Sequence, residues 1–78
     1  MILEVRLYAT LRRYTPASPN GVITVVVPDG STVLDVVRKI NIDPAEIHLI
    51  MINGIGCEFD KPVHEGDRVG LFPPVGGG

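Results

Sequence analysis

The residues best suited to chemistry stand together at the end of the sequence, Leu71-Phe72-Pro73-Pro74-Val75-Gly76-Gly77-Gly78. Proline donates no backbone hydrogen bond and favours an extended path, so Pro73 and Pro74 are expected to end sheet pairing and direct the chain away from the body. The six residues from Pro73 onward reach at most about 20 Å. Glycine has no Cβ, so Gly76, Gly77 and Gly78 can thread a channel too narrow for other residues and let another protein's atoms approach the last carbonyl. The chemistry this allows is activation of the Gly78 carboxylate, and composition alone leaves a frayed terminus as an equal reading.

Other reactive side chains offer less. His48 falls in an apolar run and His64 in a polar loop, neither with a nucleophile placed beside it by local spacing. Asn53-Gly54-Ile55-Gly56 lacks the glycine spacing of a phosphate-binding loop and reads as a hairpin turn. Cys57 is the single cysteine, which excludes an internal disulfide and a paired-cysteine metal motif. It reads as a half-buried strand residue without a catalytic role. Asp60, Glu65 and Asp67 crowd one loop, where acidic residues commonly accept hydrogen bonds from backbone amides.

The elements that position these residues follow from periodicity. Leu3, Val5 and Leu7 alternate with Glu4, Arg6 and Tyr8, the pattern of a strand with one buried face. Pro, Ser, Asn and Gly in 15–21 predict a turn, with 22–27 returning as an antiparallel strand and a helical turn over 10–14. Pro28-Asp29-Gly30 stops that strand, and Thr32 with Asp35 resembles a capping box. Val33, Val36, Val37 and Ile40 then form one buried helical stripe ending near Asn41. Asp43-Pro44 opens one more helical turn, 48–52 reads as an interior strand, a short strand follows near 57–59, and 68–72 is the last.

A helical crossover between two hairpins predicts a mixed sheet of four to five strands, class α+β, with one main helix on one face. Parity in the last strand directs Val69 and Leu71 toward the helix, and Arg68, Gly70 and Phe72 to the other side with Tyr8. If the end strands are neighbours, Tyr8 and Phe72 form an exposed aromatic patch suited to a protein partner. Residues 1–72 are thus expected to form one domain and 73–78 its flexible tail.

At 78 residues with 45% hydrophobic content there is room for one core. A formal net charge of -2 argues against a general nucleic-acid binder. No apolar run approaches the ~20 residues of a membrane span, and with the lone thiol this favours a reducing cytoplasm.

Ile52-Asn53-Gly54, the segment FDKPVHEGDRV of 59–69 and the ending LFPPVGGG resemble the MoaD/ThiS sulfur carriers of the ubiquitin-like β-grasp superfamily, most closely the MoaD branch. The predicted element order agrees over the whole chain, and the specific motifs cover about its last third. The resemblance implies a β-grasp fold and a non-catalytic sulfur-donor subunit of molybdopterin synthase that binds no cofactor of its own.

It further implies that a MoeB/ThiF-like enzyme uses ATP to adenylate the Gly78 carboxylate. A sulfur donor then converts it to a covalent thiocarboxylate for a MoaE-like large subunit in a heterotetramer. Gly77 and Gly78 match the family's diglycine. Tyr8 and Phe72, followed by Pro73, Pro74, Val75 and Gly76, match positions that meet the partner. A carrier for thiamine or tRNA thiolation, or a protein modifier joined through Gly78, is an alternative.

Overall fold

Alternation in the first residues produces strand β1, Ile2–Leu7, whose Leu3, Val5 and Leu7 are buried while Glu4 and Arg6 are exposed. In this computed structural model, residues 1–18 and 20–74 are described. A 3₁₀ helix over Ala9–Tyr14 leads to β2, Val22–Val26, followed by α1, Val33–Lys39, and a 3₁₀ turn at Pro44–Glu46. Strands β3, Leu49–Ile52, β4, Ile55–Cys57, and β5, Arg68–Phe72, complete the order.

The sheet runs β2-β1-β5-β3-β4. β1 and β5 pair in parallel at its centre, and the remaining neighbours are antiparallel. The crossover through α1 therefore joins two strands of the same direction, β2 and β3, with both end strands inserted between them. This is the ubiquitin-like β-grasp fold, with five strands and one main helix.

Two devices set the helix. The Thr32 N–H donates to Asp35 Oδ2 at 2.9 Å, which satisfies an amide that would otherwise be unpaired at the start of α1. Val33, Val36 and Val37 have no solvent exposure and pack into the same core as Leu3, Val5, Leu7, Val69 and Leu71. Ile40 is only half-buried, because it lies past the last turn of α1.

The loop before β5 is tied down over long separations. The Ile2 N–H donates to Glu65 Oε2 at 3.0 Å, and Asp67 accepts from the His64 N–H at 2.8 Å and from Asn53 Nδ2 at 3.0 Å. Glu65 and Asp67 thus accept hydrogen bonds as the sequence predicts, and Asp67 holds the β3–β4 turn against the start of β5. Arg13 and Tyr14 both bond Glu46, which fastens the first 3₁₀ helix to the second.

Three boundaries differ from the periodicity. β2 stops at Val26, and β3 starts at Leu49. β4 occupies Ile55–Cys57 where the sequence reading has 57–59, because Asn53 (φ 51°) and Gly54 (φ 84°) form a complete two-residue turn. Ile55 then pairs at once with Ile52. Phe59 has already left the sheet, and its carbonyl accepts the Leu34 N–H at 3.0 Å.

Candidate functional site

The face of the sheet opposite α1 carries the candidate site. Parallel pairing puts Arg6 beside Gly70, and one step further along the chain the Tyr8 N–H donates to the Leu71 carbonyl at 3.2 Å. Tyr8 and Phe72 consequently meet across the two central strands, with ring centroids 4.1 Å apart and planes 10° from parallel. Both are half-buried, so the patch is less exposed than expected, each ring shielding a face of the other.

Gly70 sits beneath this pair. A Cβ there would be 3.4 Å from Phe72 Cε1 and 3.5 Å from Tyr8 Cε2. The rings therefore lie close over the backbone, and a side chain larger than methyl would have to displace them.

Around the pair is an open groove of about 370 Å³ lined by Arg6, Arg68, Met51 and Gly70 together with both rings. Glu4 lies on its rim, so the face combines an apolar floor with charges of both signs. Leu49, 43% exposed, pairs with Phe72 and extends the apolar surface on one side. Ile2 and Val26, 54% and 59% exposed, form a cross-strand pair at the other end of the same face.

Arg6, Leu49, Met51, Ile2 and Val26 were not singled out from the sequence. The signal was there: 48–52 has apolar residues of both parities, and Ile2 shares the parity of Glu4, Arg6 and Tyr8.

At the end of β5 the His48 N–H donates to the Phe72 carbonyl at 2.8 Å. Pro73 is half-buried and Pro74 exposed, and neither is assigned to a strand. The prolines thus follow directly on the Tyr8–Phe72 pair. Val75, Gly76, Gly77 and Gly78, which complete the expected site, lie outside the described residues.

The remaining candidates are not brought to this face. Cys57 is half-buried on the helix side at the β4 edge, opposite Ile50. Burial pushes its thiol pKa up, and the charge of Lys61 opposes this without reversing it. The thiol is thus a poor nucleophile at neutral pH. His64 is exposed, with Nδ1 3.9 Å from Asp67 Oδ2, and His48 is exposed beside Leu49. No helix among the described residues is long and apolar enough to cross a membrane.

Comparison with known proteins yields one family and a set of similar folds. The family model described as "ThiS family" matches residues 5–78. The HVO 2177 protein of Haloferax volcanii is 30% identical, with a TM-score of 0.74 over 100% of this chain and 87% of that one. SAMP1 of the same organism is 22% identical, with a TM-score of 0.77 over the whole of both chains. A chain of the complex of subunits 1 and 2 of the molybdopterin-converting factor of Helicobacter pylori is 21% identical, with a TM-score of 0.62 over the whole of both chains. No curated protein matches the chain.

Proposed function

The chain belongs to the ThiS family, and from that premise we propose that it is a sulfur carrier that acts in the cytoplasm as the small subunit of a molybdopterin synthase. The observation that carries the reading is the Tyr8–Phe72 pair on the uncovered sheet face, immediately before Pro73-Pro74 and the diglycine sequence. A docking surface stands where it can guide a tail into a partner.

The chemistry belongs to Gly78. One carboxylate oxygen attacks the α-phosphate of ATP in an adenylating enzyme, pyrophosphate leaves, and a poor electrophile becomes an acyl adenylate. The terminal sulfur of a persulfide donor attacks the acyl carbon and AMP leaves. Reduction of the resulting acyl disulfide by a thiol frees the thiocarboxylate. Val75, Gly76 and Gly77 present that sulfur inside the large subunit, where it is transferred to the dithiolene of molybdopterin.

The larger partner is supported by the likeness to a chain of the Helicobacter pylori complex of subunits 1 and 2. Tyr8 and Phe72 are the anchors, since aromatic residues in a well-packed interface centre carry much of the binding energy. Arg6, Arg68 and Glu4 lie around them and set orientation.

Intact-mass analysis tests the reading. After incubation with an adenylating enzyme, ATP and a persulfide donor, the chain gains the mass difference of one sulfur for one oxygen, lost again when Gly76, Gly77 and Gly78 are all deleted. An unchanged mass with an adenylating enzyme that loads its own carrier overturns it.

A second reading, a protein modifier joined through Gly78 to lysines, rests on the full-length likeness to SAMP1. Isopeptide adducts that survive thiol treatment would establish it. Recovery of the large subunit without such adducts would favour the first.

A further inference from the structure

The two edges of the sheet are unequal. β4 is three residues long and includes a glycine, whereas β2 is Val22-Ile23-Thr24-Val25-Val26, five β-branched residues in succession. Soluble proteins ordinarily blunt an edge strand with lysine, proline or a bulge, and the span of β2 contains no charge and no proline. The bonds from Leu7 N–H to the Gly21 carbonyl and from Val27 N–H to the Met1 carbonyl turn the odd-numbered positions toward β1. The backbone groups of Val22, Thr24 and Val26 therefore point outward.

Neither end of this edge offers a free donor. The Val22 N–H donates to Asn20 Oδ1 at 3.1 Å. Pro28 has no N–H, and its carbonyl accepts both the N–H and the hydroxyl of Ser31. What stays open is a window at Thr24 and Val26.

We propose that this window pairs antiparallel with the same window of a second copy of the chain, about a two-fold axis at Val25. Each Thr24 N–H donates to the Val26 carbonyl of the other copy, and each Val26 N–H to the Thr24 carbonyl, four bonds in all. This register sets Val22 opposite Pro28, so two positions without a free N–H face each other and no donor is stranded.

Charge agrees with the same register. It places Asp29, whose side chain is 94% exposed and 3.8 Å from its own N-terminal ammonium, opposite Gly21 of the second copy. A Cβ at Gly21 would be 2.3 Å from the Leu7 carbonyl oxygen and 3.2 Å from Arg12 Cγ, so the stem of the exposed Arg12 runs beside Gly21. Each Asp29 is then within side-chain reach of the other copy's Arg12, while Glu4 is in line with the other copy's Val26 and Ile2 and meets no like charge.

The contact is small beside the ~1,200 Å² that stable interfaces bury, which makes it a weak association rather than a permanent dimer. It is independent of the sulfur-carrier reading, because no part of it involves residues 73–78.

Sedimentation equilibrium of the full chain tests it. The mean mass should rise from 8.4 kDa toward twice that value between about 0.1 and 1 mM, the range expected of an interface this small. Thr24→Pro removes an outward N–H without touching the β1–β2 ladder and should weaken association about tenfold. Asp29→Arg, in an exposed turn where folding is not at stake, should weaken it about threefold, and adding Arg12→Asp should restore it. A chain that stays at 8.4 kDa throughout, or self-association indifferent to Asp29→Arg and its reversal, overturns the proposal. Slowed amide exchange at Thr24 and Val26 only on adding another protein would assign the edge to that protein and overturn it equally.

Discussion

On the helix side of the sheet, Val5, Leu7 and Leu71 are 0% exposed and belong to one apolar core. On the opposite side, Ile2, Leu49 and Val26 stand in water among Arg6, Arg68 and Glu4, and the two aromatic rings cover chiefly each other. The same strands supply both faces, and Leu71 and Phe72 are consecutive residues of β5. The difference is one of cover: α1 completes the first face within the chain, and no element among the described residues packs over the other.

That contrast is broken most severely at Leu71. Leu71→Ala should cost about 2–5 kcal/mol, because the cavity is enclosed by strands and helix that cannot collapse into it. Chemical denaturation measures this, and a loss under about 1 kcal/mol would mean that the helix face is loosely packed. Phe72→Ala, one residue on, should cost far less in folding while weakening capture of the large subunit by about 2 kcal/mol or more, read by calorimetry. Equal losses of stability at the two positions would erase the distinction between the faces.

The smaller effects sharpen it. A double-mutant cycle between Tyr8→Ala and Phe72→Ala should return a coupling of about 0.5–1.5 kcal/mol, and independent losses would show that the rings do not act as a pair. Gly70→Val should leave the unfolding free energy within about 0.5 kcal/mol of the parent once strand preference is counted, yet weaken partner capture by displacing both rings.

The smallest effect falls on the helix side. The folded Cys57 thiol holds its proton to higher pH than the unfolded one. Its contribution is therefore full below the ordinary thiol range and is lost as pH rises through the raised value. Stability should fall slightly more steeply above about pH 9 in the parent than in Cys57→Ala. Identical pH profiles would show that burial at this edge is nominal.

The two faces were also unequally legible. Parity along 2–8 and 68–72 assigned Leu7 and Leu71 inward and Tyr8 and Phe72 outward, and the spacing of Val33, Val36 and Val37 located the helix, because these patterns repeat within a single element. The start of β4 was misplaced since Ile55-Gly56-Cys57 is too short to show a period, and its position depends on a turn completed in two residues. The bonds from Arg13 and Tyr14 to Glu46, and from Ile2 to Glu65 across 63 positions, join segments that no local pattern connects. The role proposed for Gly78 rests on resemblance of the terminal motif, since three glycines obey no packing rule that periodicity could detect.

The parallel pairing of β1 with β5 has a consequence for how the molecule is made. Among the described residues β5 is the last strand in chain order and the middle strand of the sheet, with β1 on one side and β3 on the other. A nascent chain that stops before Arg68 has two hairpins and a helix with nothing to join them, its apolar surfaces open to proteases. Only a chain extended through Phe72 can close the sheet, so every stabilising contact between the two hairpins waits on the five residues of β5.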